Sequence, residues 1–136
     1  LYQLSLPTRT LSKPSYQAII SNSLLHHLHD PQVLWQTIKQ VAAPQAAIYI
    51  TDLRRPETAE QAQSLVNTYS NNEPEILQQD FHNSLLAAFS AEEARQQLKI
   101  ANLSCLHVTQ IGDRHLQISG LLADLYNEFQ DQQPHA

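Results

Sequence analysis

Between Tyr16 and Asp52 the sequence reads as strand, helix, strand, and this order limits the folds open to the chain. Ala18, Ile19 and Ile20 form a short apolar run of the kind carried by a strand buried on both faces. Ser21, Asn22 and Ser23 interrupt it with small polar side chains that can bond nearby backbone. Leu24, Leu25 and Leu28 then alternate with His26, His27 and His29 over one helical turn. Asp30 is placed to cap a helix whose first position is Pro31, and Leu34, Ile38, Val41 and Ala42 recur at helical spacing beside Trp35. Pro44-Gln45 turns the chain into a second buried strand, Ala46 to Thr51, with Asp52 at its end. Two strands joined by a helical crossover pair in parallel. Open sheets of this kind bind ligands beyond the carboxyl ends of their strands, so Ser21 to His29 is the first place to look for function.

The rest of the chain adds elements to this unit. Leu1 to Leu6 reads as a short strand ended by Pro7. After Arg54-Arg55, helical spacing runs from about Pro56 to Tyr69 through Ala59, Ala62 and Val66. A restart at Asn71-Asn72-Glu73-Pro74 carries a stripe of Leu77, Phe81, Leu85 and Phe89. Ser90 and Glu93 have the spacing of a capping box for a helix reaching about Lys99. Leu103 to Ile111 and Arg114 to Ser119 flank Gly112-Asp113 as the arms of a hairpin. Leu121 to Phe129 reads as one more short helix before a Gln-rich end. The expected organisation is one α/β domain over residues 1–120 and a helical, fraying tail over 121–136.

Composition narrows function mainly by exclusion. A net charge of −5 with eight scattered Lys and Arg gives no basic patch for a nucleic-acid backbone. No apolar run approaches the roughly 20 residues of a membrane span, and Leu1 to Thr10 has no signal-peptide pattern, so a cytoplasmic location is expected. The lone Cys105 has no partner for an internal disulfide and reads as a buried structural thiol. Two glycines, Gly112 and Gly120, cannot build a G-x-G-x-x-G loop. The chain contains no Met, so the sequence as written is expected to be a fragment or processed product.

Three groups of residues are candidates for chemistry. His26, His27 and His29 form the densest titratable cluster, offering a general base near neutral pH or simply filling a helix start. No pair among them has the i, i+4 spacing of helical metal ligands, and no metal is expected. Ser21, Asn22 and Ser23 present amide, hydroxyl and carbonyl groups at a cleft mouth, or satisfy their own strand end. Asp52 and Arg54, at the end of the second strand, face the same rim and either line a substrate site or serve local turns and ion pairs.

The segments Ala18–Ser21, Asn22–Pro31, Ala43–Ala46, Ile48–Asp52 and Leu103–Gly120 together resemble class I S-adenosylmethionine (SAM)-dependent methyltransferases of the small-molecule type. The resemblance implies a partial Rossmann-like methyltransferase fold, with parallel strands, crossover helices and a C-terminal antiparallel β-hairpin. It implies SAM as cofactor and a small-molecule methyl acceptor as partner. Ser21, Asn22 and Ser23 would meet the methionine portion of SAM, and Ser5 and Leu6 would lie near its adenine. By position and chemistry rather than by the resemblance, His26 and His27 are the candidates for a base, and Asp52 and Arg54 for contact with the acceptor. The family's Gly-rich loop and acidic second-strand residue would lie before Leu1. Gln17 stands in place of a usual acid, and Gln45-Ala46 replaces a Gly-Gly turn.

Two function classes follow. One is an enzyme: part of a methyltransferase whose cofactor grip lies in an absent N-terminal half. The other is a non-catalytic interaction or dimerisation module derived from such a domain. A central strand stripped of its neighbour exposes an apolar edge, which invites either a homodimer through Ala18–Ser21 or re-pairing with Leu1–Leu6.

Overall fold

A computed structural model describes residues 16–122 of the chain. The expected strand at Leu1–Leu6 and nearly all of the expected tail helix lie outside the described residues. Four strands form one sheet in the order β1-β2-β4-β3: β1 (Tyr16–Asn22), β2 (Ala42–Leu53), β3 (His107–Ile111) and β4 (His115–Leu121). β1 and β2 are parallel, as the crossover by α1 (Gln32–Val41) requires, and β4 runs antiparallel to both β2 and β3. Between β2 and the hairpin come α2 (Ala59–Tyr69), α3 (Glu75–Ala87) and α4 (Ala91–Ile100). The result is a mixed α/β fold whose four-stranded sheet combines one parallel pair with a C-terminal antiparallel hairpin.

Local chemistry accounts for most of the boundaries. The Asp30 carboxylate accepts from Gln32 N at 2.9 Å at the start of α1. Thr58 caps α2 by accepting from Gln61 N at 3.1 Å, so this helix begins at Ala59 rather than at Pro56. Ser90 and Glu93 form the expected reciprocal capping box at α4. β2 starts directly at Ala42, where α1 ends, and not after a turn at Pro44-Gln45. The extra residues are absorbed by an irregularity opposite Tyr16–Ala18, where Tyr16 pairs with Ala42 and Ala18 with Ala47. Gly112 opens the hairpin loop at φ +59°, a conformation that glycine adopts without steric cost. Leu121, read from sequence as the start of a helix, instead ends β4 opposite Ala47.

The core lies on one face of the sheet. Ala46, Ile48 and Ile50 of β2, with Leu116 and Ile118 of β4, pack against Leu34, Trp35 and Ile38 of α1 and Ala94 and Leu98 of α4. The Trp35 indole N–H donates to Gln97 Oε1 at 3.0 Å, joining α1 to α4 inside the apolar layer. A smaller cluster of Ala62, Val66 and Leu85 holds α2 against α3, with Leu53 of β2 at its margin.

The opposite face is largely open. Ile20 is 76% exposed, Tyr49 46% and Leu121 50%, and the registers Ile20–Tyr49 and Ala47–Leu121 place them on one side of the sheet. This corrects the expectation that β1 is buried on both faces. Among the described residues β1 pairs only with β2, and packing covers one of its faces, through Ile19. The continuous apolar run Ala18–Ile20 has the same composition in either setting, so it does not report which faces are covered.

Candidate functional site

β1 and β2 end together, with Asn22 paired to Thr51, and the chain leaves β1 through a tight turn at Ser23, φ +58°. Ser23 N donates to Thr51 O at 3.0 Å, tying the departing loop to the neighbouring strand. The loop then forms a 3-10 turn over Leu25–His27 and lays Leu25 into the core. That anchoring sets where the three histidines fall.

His26 turns inward onto Asp52. The Nδ1···Oδ1 separation is 2.6 Å, and the two side chains are 6% and 3% exposed. Two main-chain donors meet the same carboxylate: Leu25 N reaches Oδ2 at 2.7 Å and Leu53 N reaches Oδ1 at 2.8 Å. Asp52 is thus a buried acid with two main-chain donors and one imidazole nitrogen around it, which is how a carboxylate is kept in a low-dielectric site. The His27 ring lies 4.0 Å from that of His26, tilted by 40°, and His27 and His29 are exposed.

Strand alternation distributes the remaining residues. Ser21 pairs with Ile50, so it shares the core face with Ile50 and Asp52, and its Oγ is sealed from solvent without a hydrogen-bond partner. Asn22 and Thr51 occupy the other face. Asn22 Oδ1 receives Thr51 Oγ1 at 2.9 Å and Ser23 Oγ at 3.2 Å, which orients its carboxamide at the rim. The strand-end residues therefore straddle the rim from both faces of the sheet. Ser5 and Leu6 lie outside the described residues.

Arg54 is committed elsewhere. Its guanidinium donates to His115 O at 2.7 Å and Gly112 O at 3.1 Å, and its main-chain N donates to Arg114 O, fastening the end of β2 to the hairpin loop. An open cleft of about 620 Å³ lies on that side, with Arg54, Arg55, Gln61, Ser90, Arg95 and Asp113 among its lining residues. Its cations are partly balanced in place: Arg55 pairs with Glu93 at 2.7 Å and Arg95 with Glu92 at 3.8 Å. None of Ser21–His29 lines this cleft, so it is separate from the loop site.

The hairpin region also sets a pH response. Burial pushes the His115 imidazole below its ordinary value of 6.5, helped by the neighbouring Arg114 and Arg54 charges. A depressed folded-state value means that the unfolded chain binds the proton first, so stability is complete above 6.5 and falls as pH drops below it. The thermal midpoint is expected to decline between about pH 7.5 and about pH 5.5, and His115→Gln is expected to flatten that segment. Glu93, held down chiefly by its bond from the Ser90 main chain, adds a further loss below its ordinary 4.5.

The contact between His26 and Asp52 is the feature that sequence reading missed, since it assigned the two residues to separate tasks. They lie 26 positions apart and no local motif joins them. The available signal was topological: in a parallel βαβ unit, the loop after the first strand borders the end of the second.

No protein-family model matches the chain, and no curated protein matches it. Among solved structures it is similar to the crystal structure of a SAM-dependent methyltransferase from Aquifex aeolicus. The superposition has a TM-score of 0.56 at 16% identity and covers 90% of this chain and 54% of that one. The fold is methyltransferase-like. The chain spans about half the length of that structure. No helix among the described residues is long and apolar enough to cross a membrane.

Proposed function

We propose that this chain forms part of a SAM-dependent methyltransferase that acts on a small molecule, with most of the cofactor grip contributed by sequence outside these 136 residues. The observation that carries this reading is the rim where β1 and β2 end, set in a fold similar to a SAM-dependent enzyme. The residues there suit the amino-acid end of SAM. An oriented Asn22 carboxamide and the loop main chain offer donors for a carboxylate and acceptors for an ammonium. Bound there, SAM would supply an electrophilic methyl group. The two glycines, at positions 112 and 120, leave this stretch without a Gly-rich cofactor loop, which supports placing that grip elsewhere.

Calorimetric titration of SAM tests the reading. The natural protein that carries this chain is expected to bind saturably, and the isolated 136 residues weakly or not at all. Absence of binding by the natural protein overturns the proposal. A second reading, self-association through β1, rests on the 76% exposure of Ile20 on a strand paired along one edge among the described residues. Sedimentation of the same sample as a monomer at all concentrations removes it.

A further inference from the structure

We propose that His26 is a proton acceptor for the methyl-accepting substrate, and that the accepting atom is the oxygen of a neutral hydroxyl or phenol. The inference rests on the methyltransferase reading above and names its substrate class. Leu25 N and Leu53 N converge on the Asp52 carboxylate, and an ionised carboxylate only accepts, so the hydrogen in the 2.6 Å contact with His26 sits on Nδ1. A neutral imidazole protonated at Nδ1 carries its basic lone pair on Nε2. Nε2 has no hydrogen-bond partner among the described residues.

Position supports the same role. The 3-10 turn that bears His26 follows the end of β1 directly, at the rim where open parallel sheets receive ligands. Asp52 acts as a positioning residue: it fixes the tautomer and stands ready to balance the imidazolium that proton uptake creates. The buried Asp52 carboxylate meets the inner nitrogen of His26 as well as two main-chain donors, and these contacts together offset the free energy of burying it.

The class of acceptor follows from what a base is useful for. A neutral amine, such as an aromatic one, attacks through its own lone pair and loses its proton afterwards, and a thiol is partly ionised near neutral pH. A hydroxyl is a weak nucleophile unless its proton is being removed as it attacks. In the balanced step the O–H proton passes to His26 Nε2, and the oxygen pair forms the new bond to the methyl carbon. The carbon–sulfur pair stays on the sulfonium sulfur and neutralises it. The imidazolium then returns its proton to solvent.

The test uses the natural protein carrying this chain, with ¹⁵N-labelled histidine. When the ring is neutral, the His26 Nδ1 signal is expected to be that of a protonated nitrogen and the Nε2 signal that of a bare one; the reverse tautomer overturns the assignment whatever the activity. His26→Asn keeps an N–H donor for Asp52 but has no Nε2. It is expected to leave SAM binding and the thermal midpoint near wild type while slowing methylation of simple phenols and alcohols by about 10²–10⁴-fold and removing the acidic limb of the pH–rate profile. Normal SAM binding with undiminished oxygen methylation refutes the role of His26 and leaves the methyltransferase reading standing. Transfer only to thiol or amine probes refutes the substrate class. Failure of the wild-type protein to bind SAM refutes the underlying reading and this inference with it.

Discussion

Replacing Asp52 with Ala is expected to destabilise the fold by about 3 kcal/mol, because two main-chain N–H groups and one imidazole lose their acceptor together. Leu25 N and Leu53 N are held in place by the strand end and the 3-10 turn, so they cannot turn toward water. Each orphaned buried donor costs about 1–3 kcal/mol, whereas the His26 ring can swing outward and recover hydration. At about 4 °C per kcal/mol for a chain of this size, the thermal midpoint falls by about 12 °C. Asp52→Asn retains one acceptor oxygen but sets an amide against donors, so an intermediate loss is expected. A change in midpoint too small to measure in Asp52→Ala would mean that the buried carboxylate does not organise this loop.

The second large effect concerns the contact between α1 and α4. Trp35 is fully buried, and its indole N–H is held by Gln97, itself only 7% exposed. Trp35→Ala opens the largest void that a single truncation can make at this helix–helix contact, and it strips Gln97 Oε1 of its donor. A loss of about 3–5 kcal/mol is expected, enough to leave a domain of typical stability partly unfolded. Trp35→Phe keeps most of the volume but still orphans Gln97, so the difference between the two variants separates packing from the hydrogen bond. Urea titration followed by circular dichroism is the suitable measurement, since Trp35 is the one tryptophan in the chain. A loss below about 1 kcal/mol for Trp35→Ala would contradict the packing described for α1 and α4.

What was legible in the sequence was local. The Ser90–Glu93 capping box depends on residues three positions apart and is present as read, while Asp30 bonds Gln32 N from one position before the N-cap, which is Pro31. The strand of Ala46–Thr51 ending in Asp52 follows from an apolar run bounded by polar residues, and its parallel pairing from the crossover between the strands. The hairpin around Gly112 was marked by the glycine itself. What was hidden depends on partners distant in sequence. Arg54 reads as a rim cation, yet three carbonyls contributed by the hairpin loop and the start of β4 take its donors. The exposure of Ile20 depends on what lies over β1, which an apolar run cannot state. The contact of His26 with Asp52 needs the register of β1 against β2, and that register contains an irregularity that no residue in Tyr16–Ala18 announces.

The most direct test of the central claim is a map of backbone amide shifts in the natural protein as SAM is added. Perturbations are expected to concentrate at Ser21–Leu28 and Thr51–Leu53, the two strand ends that meet at the rim. Shifts confined to the Arg54–Asp113 cleft, or none at saturating SAM, would contradict that claim.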